Sequence, residues 1–184
     1  MNGITKPSKQ GAVRLFFAIQ PPGEIQTALN KIAKNAASAQ SGWSLKSENI
    51  HLTLIFLGDV EADKIDRLRG IAANITGQSF SLTIQGTTYW KKNHIVMAKV
   101  EHYPAELFEL VNHLKTALVA AGFVCENRKY KPHITLIRKA VAHQSIQLEK
   151  PIQWDVNDWL LMQSCLSEQG ARYSELGRWP LNLN

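Results

Sequence analysis

Apolar positions along this chain repeat with two different periods, and the switches between them mark the elements. Val13-Arg14-Leu15-Phe16-Phe17-Ala18-Ile19 is apolar nearly throughout and reads as a central strand. Pro21-Pro22-Gly23 breaks it and starts a helix, in which Ile25, Leu29, Ile32 and Ala36 recur at helical spacing; Ser41-Gly42 ends that segment. Trp43 to Ser47 lead into a second apolar run, Asn49 to Phe56, which stops at Gly58-Asp59. A second helix carries Ile65, Leu68, Ala72 and Ile75 on one face and ends near Gly77. Phe80 to Gln85 alternate as a half-exposed strand, Lys91-Lys92-Asn93 is a turn, and Ile95 to Val100 form another strand. Pro104 opens a third helix with the stripe Leu107, Leu110, Leu114, Leu118 and Ala121, closed by Gly122. After Arg128 to Pro132 comes the strand Pro132 to Arg138. Residues 140–152 read as a loop. Asp158 to Leu166 and Ala171 to Leu176 are strands joined by a turn at Glu168-Gln169-Gly170.

Two of these strands copy each other. Asn49-Ile50-His51-Leu52-Thr53-Leu54-Ile55 and Pro132-His133-Ile134-Thr135-Leu136-Ile137-Arg138 each place a histidine two residues before a threonine. Strand alternation puts His51 and Thr53 on one face and Leu52, Leu54 and Phe56 on the other; His133 and Thr135 likewise oppose Ile134 and Leu136. The order strand, proline-led helix, histidine strand occurs twice. The spacing from Pro22 to His51 equals that from Pro104 to His133, 29 residues. Matched halves facing each other across a pseudo-twofold axis would bring both His-Thr faces to one cleft. The expected architecture is α+β: one bilobal domain over residues 1–184, two lobes of antiparallel sheet, helices packed outside and the site between the lobes. Residues 1–12 form a flexible N-terminal arm in this reading.

Composition narrows the setting. The hydrophobic fraction is 45%, normal for a globular protein, and no apolar run approaches the ~18 residues of a membrane span. Met1 to Gln10 lack the apolar core of a secretory signal. Cys125 and Cys165 show no metal-ligand spacing and are expected as reduced thiols of a cytoplasmic protein. A net charge of +6 fits either a phosphate-rich partner or an ordinary basic surface.

Two imidazoles and two hydroxyls suit one class of reaction. Imidazole titrates near neutrality, so one ring can take a proton from water while its partner gives one to a departing oxygen. Thr53 and Thr135 can donate to the nonbridging oxygens of a phosphodiester, where charge accumulates. Arg128, Lys129, Lys131, Arg138 and Lys139 crowd the second motif, and an arginine can grip phosphate with a two-pronged fork. Strict alternation, however, puts Arg138 on the face opposite His133, and only the strand end or local twist would let it reach over. Tyr130 is either a nucleobase-stacking ring or an edge aromatic. No carboxylate or cysteine stands at metal-ligand spacing from either motif, so no metal or other cofactor is expected. His113 and His143 read as a solvated helix residue and a loop residue. His94 and His102 flank a strand.

The paired His-x-Thr-Leu strands resemble the two-histidine phosphoesterase superfamily, and within it the LigT-like RNA 2′,3′-cyclic phosphodiesterases, also called 2′-5′ RNA ligases. The resemblance runs nearly end to end, through Arg14 to Ile19, Glu48 to Leu54, Phe56-Leu57-Gly58, Arg128, Tyr130, Pro132 to Leu136 and Arg138, then Ser164, Gly170, Tyr173, Leu176 and Trp179-Pro180-Leu181. It implies metal-independent opening of a 2′,3′-cyclic phosphate at an RNA or nucleotide end to leave a 2′-phosphate. It further implies His51 as general acid and His133 as general base, two roles that the residues by themselves do not separate, with Thr53, Thr135 and Arg138 on the phosphate, and Tyr130, Arg128 and Phe17 on the nucleotide. Tyr130 stands for a more usual Phe, and Lys129 replaces a frequent Pro. The implied partners are RNA ends or nucleotides carrying the cyclic phosphate, met by a monomer with no membrane attachment. ATP-independent 2′-5′ ligation by the reverse reaction and non-catalytic RNA-end binding are the competing readings.

Overall fold

The computed structural model describes residues 11–38, 42–167 and 170–183. The expected arm, apart from its last two residues, Ser41 of the first helix stop, and Glu168 and Gln169 of the expected turn lie outside them. In chain order the elements are β1 (Ala12–Ile19), α1 (Gly23–Ser38), β2 (Trp43–Ser44), β3 (Leu52–Glu61), α2 (Ile65–Ala73), β4 (Phe80–Trp90), β5 (Ile95–Val100), α3 (Ala105–Ala120), β6 (Thr135–Arg138), β7 (Gln147–Val156), β8 (Asp158–Ser167) and β9 (Gly170–Pro180).

The strands build two antiparallel sheets, one in the order β3-β1-β8-β9, the other β2-β6-β5-β4-β7. The matched units are β1–α1–β3 and β5–α3–β6, and their helices have the same length, 16 residues. In each unit the two strands are neighbours in one sheet. The helices cross over: α1 packs against β2 and β6, whereas α3 reaches β3. Each unit therefore completes the hydrophobic layer of the other, and one continuous core runs beneath both sheets, from Leu15, Phe17 and Ile19 through Leu82 and Ile84 to Leu107, Leu114, Ile134 and Trp159.

α3 shows how directly the sequence dictates an element. Its buried stripe is Leu107, Leu110, Val111, Leu114 and Leu118. Pro104 stands at the N-cap position, just ahead of the first turn. Its end turns at Gly122, whose φ of 81° suits a residue without Cβ. There the amide of Phe123 donates to the Leu118 carbonyl and that of Gly122 to the Val119 carbonyl, satisfying two orphan acceptors.

Residues 140–152 are not all loop: β7 begins at Gln147 and pairs with β4 through Ile152 and Trp154. Glu149, Lys150 and Pro151 gave that edge strand no apolar signature, because an edge strand needs only one buried face. β4 and β9 also run past their expected ends, which places Trp90 and Trp179 on strands.

Two irregularities in strand pairing control the faces. Opposite β1, Phe17 pairs with Ile55 and Ala18 with Thr53, so Leu54 is an extra residue. Opposite β5, Val96 pairs with Ile137 and Met97 with Thr135, so Leu136 is an extra residue at the same place in the second motif. Each is a β-bulge, which resets the alternation beyond it. Consequently Leu52, Leu54 and Ile55 are all buried, while Phe56 is 45% exposed. The expectation that Phe56 joins Leu54 in the core fails at this bulge.

Candidate active site

The histidines stand just ahead of β3 and β6, and the two segments touch. Leu52 and Ile134, the central residues of the two His-x-Thr triplets, form an antiparallel bridge. His51 then lies beside Thr135 and Thr53 beside His133, all on the face opposite Leu52 and Ile134. The two histidines are diagonal neighbours across this bridge, at a spacing of about 7–8 Å between backbone positions.

Both rings are held in the same way. His51 Nδ1 lies 2.7 Å from the carbonyl of Asn49, and His133 Nδ1 lies 2.9 Å from the carbonyl of Lys131. A carbonyl only accepts, so Nδ1 carries the proton in each ring and the neutral tautomer leaves a lone pair on Nε2. Thr53 Oγ1 stands 3.1 Å from His51 Nε2 and can donate to it. Asn49 is itself buried, and its side-chain amide donates to the Ala171 carbonyl at 2.7 Å. The carbonyl that orients His51 is thereby tied to β9.

Aromatic rings wall both imidazoles. Tyr173 meets His51 edge-on at 5.2 Å, and Phe16 lies 5.0 Å from it. Trp90 meets His133 edge-on at 5.4 Å. Burial among these groups holds the His51 pKa down to about 4; the Asn49 carbonyl opposes this, while the charges of Arg138 and His133 add to it. His51 is neutral at pH 7.

The second bulge places Arg138. With Leu136 and Ile137 both turned into the core, Arg138 emerges on the face of His133 and Thr135, contrary to strict alternation. Thr135 is 7% exposed and Thr53 half-buried. The remaining expected residues fare differently. Phe17 is fully buried in the main core and so does not contact a nucleotide; alternation along β1 turns its neighbour Phe16 to the site instead. Arg128 points outward, its side chain 75% exposed and paired with Glu126 at 2.7 Å. Tyr130 packs edge-on against Phe108, and its hydroxyl donates to the Thr53 carbonyl at 2.9 Å, so its ring clamps one motif to the other. Burial pushes that phenol well up.

Phe16, Trp90 and Tyr173 are site residues that motif reading passed over. Phe16 was legible from strand parity once β1 was known to border the first motif. Trp90 carried no local signal, and Tyr173 only its place in the resemblance. A groove of about 430 Å³ between Pro21, Gly23, Trp154 and Arg178 contains no residue of either motif. Its cation, Arg178, is already held by Asp158 and Glu175.

The arrangement offers two basic nitrogens, hydroxyl donors and one guanidinium around a space with aromatic walls, suited to holding a small anion and moving protons on either side of it. A family model described as LigT like phosphoesterase matches residues 19–97. An RNA 2′,3′-cyclic phosphodiesterase of Escherichia coli is 32% identical over 171 residues, covering 91% of this chain and 96% of that protein. One from Thermotoga maritima is 30% identical, covering 89% and 93%. Among solved structures, E. coli LigT complexed with 3′-AMP superposes with a TM-score of 0.80 at 31% identity, covering 92% of this chain and 98% of that one. LigT complexed with phosphate gives 0.78 at 30%.

Proposed function

The chain belongs to the LigT-like phosphoesterases, and from that premise we propose that it hydrolyses 2′,3′-cyclic phosphates at RNA or nucleotide ends to 2′-phosphates, with His51 and His133 as the acid–base pair. The observation that carries this reading is the matched tethering of both Nδ1 protons to backbone carbonyls, which leaves the lone pair of each Nε2 for proton transfer, that of His51 beside the Thr53 hydroxyl.

In this reading the cyclic phosphate lies between the rings, with Arg138, Thr53 and Thr135 donating to its nonbridging oxygens. The imidazole of His133 takes a proton from water as the water oxygen bonds to phosphorus. The bond from phosphorus to the 3′-oxygen breaks, and the imidazolium of His51 gives that oxygen its proton. The product has a free 3′-hydroxyl and a 2′-phosphate. The two rings end with their protons exchanged and reset by trading them with solvent. Because the free protein keeps His51 neutral, its role as acid requires the bound anion to favour the charged ring. No group of three or more His, Cys, Asp or Glu able to hold a metal occurs among the described residues. The two unpaired cysteines, Cys125 and Cys165, suit a reducing cytoplasm. No helix among the described residues is long and apolar enough to cross a membrane.

The test is turnover of a 2′,3′-cyclic nucleotide by the native protein and by His51→Ala and His133→Ala, with the product regiochemistry determined. Loss of activity in both variants and a 2′-phosphate product are expected; full activity in either variant sinks the reading. An aryl phosphodiester assigns the roles. Its phenolate leaves without a proton, so it restores turnover to the variant lacking the acid and not to the one lacking the base.

A further inference from the structure

Trp43 stands on β2, the edge strand of the second sheet, and is 54% exposed. Its strand partner is Arg138. Directly paired residues leave a sheet on the same face, so this indole rises beside the guanidinium on the side of His133. The cross-strand row continues from Arg138 to Ile95 and from Ile95 to Trp90. A tryptophan thus closes each end of a row about 14 Å long, four strands at roughly 4.8 Å spacing.

The two indoles are used differently. Trp90 is committed to the site: it walls His133, and the Lys131 ammonium sits 5.9 Å from its centroid. Trp43 makes no ring–ring contact among the described residues. The Lys139 ammonium lies 4.5 Å over one face of its ring, which leaves the opposite face for another flat group.

Two backbone features fix this pose. Gly42 has φ of 127°, and a Cβ there would come within 2.9 Å of both the Arg138 carbonyl oxygen and Ile137 Cγ2; only glycine lets β2 lie so close to β6. Lys139 adopts φ of 54°, the left-handed region that a side chain rarely occupies. It thereby leaves the strand just after Arg138 and sends its ammonium back over Trp43. A solvent-facing tryptophan held beside a phosphate-gripping arginine and backed by a lysine has the chemistry of a single-stranded RNA contact, stacking on one side and charge on the other.

Resting on the phosphodiesterase reading of the histidine pair, we propose that Trp43 is the stacking platform for the nucleobase immediately 5′ of the cyclic-phosphate terminus, so that the protein prefers RNA ends to mononucleotides. The terminal ribose, joined to the reacting phosphate, stays among the inner aromatic walls. The rest of the RNA leaves over the sheet edge, where Trp43 receives the next base and Lys139 faces the connecting phosphodiester.

The experiment compares kcat/KM for a mononucleoside 2′,3′-cyclic phosphate with that for a dinucleotide ending in the same cyclic phosphate. The native protein favours the dinucleotide by about tenfold, one stacked base. Trp43→Ala removes that ratio and Trp43→Phe retains most of it. A ratio near one in the native protein, or one unchanged in Trp43→Ala, overturns the proposal; a folding defect slows both substrates together and leaves the ratio intact. If the native protein turns over neither substrate, the phosphodiesterase reading fails separately. Calorimetric titration with the mononucleoside and dinucleotide 2′-phosphates then decides on Trp43: tighter dinucleotide binding that Trp43→Ala abolishes supports the platform, and equal binding refutes it.

Discussion

One residue past each motif threonine, at Leu54 and at Leu136, the strand pairing admits the same extra residue, yet the next side chain to emerge on the site face is Phe56 in the first half and Arg138 in the second. The backbone device is shared: triplet, bulge, re-aimed side chain, and a carbonyl two residues back that pins the imidazole. The polarity is not. The first half sets Phe16 and Tyr173 against His51, and the guanidinium of Arg14 lies over the outer Phe56 ring at 5.7 Å while bonding Asp59 at 3.3 Å. The second half turns a cation, Arg138, onto the face of His133. Duplicated backbone can set two catalytic groups symmetrically about a phosphorus atom, but acid and base must differ at the moment of reaction, and the difference comes from the side chains the bulges expose.

The largest break in that comparison is removal of either imidazole. His51→Ala and His133→Ala are each expected to lower kcat by roughly 10²–10⁴-fold, with the double variant little worse than the singles because the rings act as one unit; steady-state assays check this. Next, Arg138→Gln is expected to cut kcat/KM by roughly 10–100-fold through the lost charged hydrogen bonds. It also removes a cation that disfavours charge on His51, so the pKa of that ring rises from about 4 in this variant, read by NMR titration of the imidazole. Phe56→Arg does not restore activity to that variant if the halves are functionally distinct.

A third effect is on stability. His51 binds its proton less well folded, at about 4, than at its ordinary 6.5. The unfolded chain therefore takes up more protons in that interval. The stability this group confers is present above pH 6.5 and is lost as pH falls toward 4, a change of about 2–3 kcal/mol. Urea unfolding between pH 7 and 4 reads it, and His51→Gln flattens this part of the profile. The smallest effect is expected for Tyr130→Phe, which deletes the hydroxyl bridging the halves at the Thr53 carbonyl and costs about 1 kcal/mol in the same measurement.

Much of this was legible beforehand. The 3.6-residue stripe of α3, the proline and glycine that bound it, and the apolar strands around each triplet are local patterns, and the folded protein keeps them. His51, Thr53, His133 and Thr135 could be assigned to one face because alternation over three residues needs no partner strand. Phe17 and Phe56 were misplaced, and strict alternation turned Arg138 away from the face that the resemblance gave it, for one reason in two forms. Phe17 sits among mixed apolar neighbours whose inner and outer faces look alike in sequence, and the other two lie beyond a bulge, which exists only in the pairing with β1 or β5. β7 was missed because its exposed face erased the signal.

The sequence alone determined the order of the helices and of the strands other than β7, the duplication and the four motif side chains, since each is written in local patterns of residues. Tertiary structure decided what those residues meet: the bridge between Leu52 and Ile134, the aromatic walls drawn from β4 and β9, the neutral state of His51, and Trp43 beside Arg138. Those depend on register and burial between segments scores of residues apart, where the free energy belongs to the pair and neither partner announces it by itself.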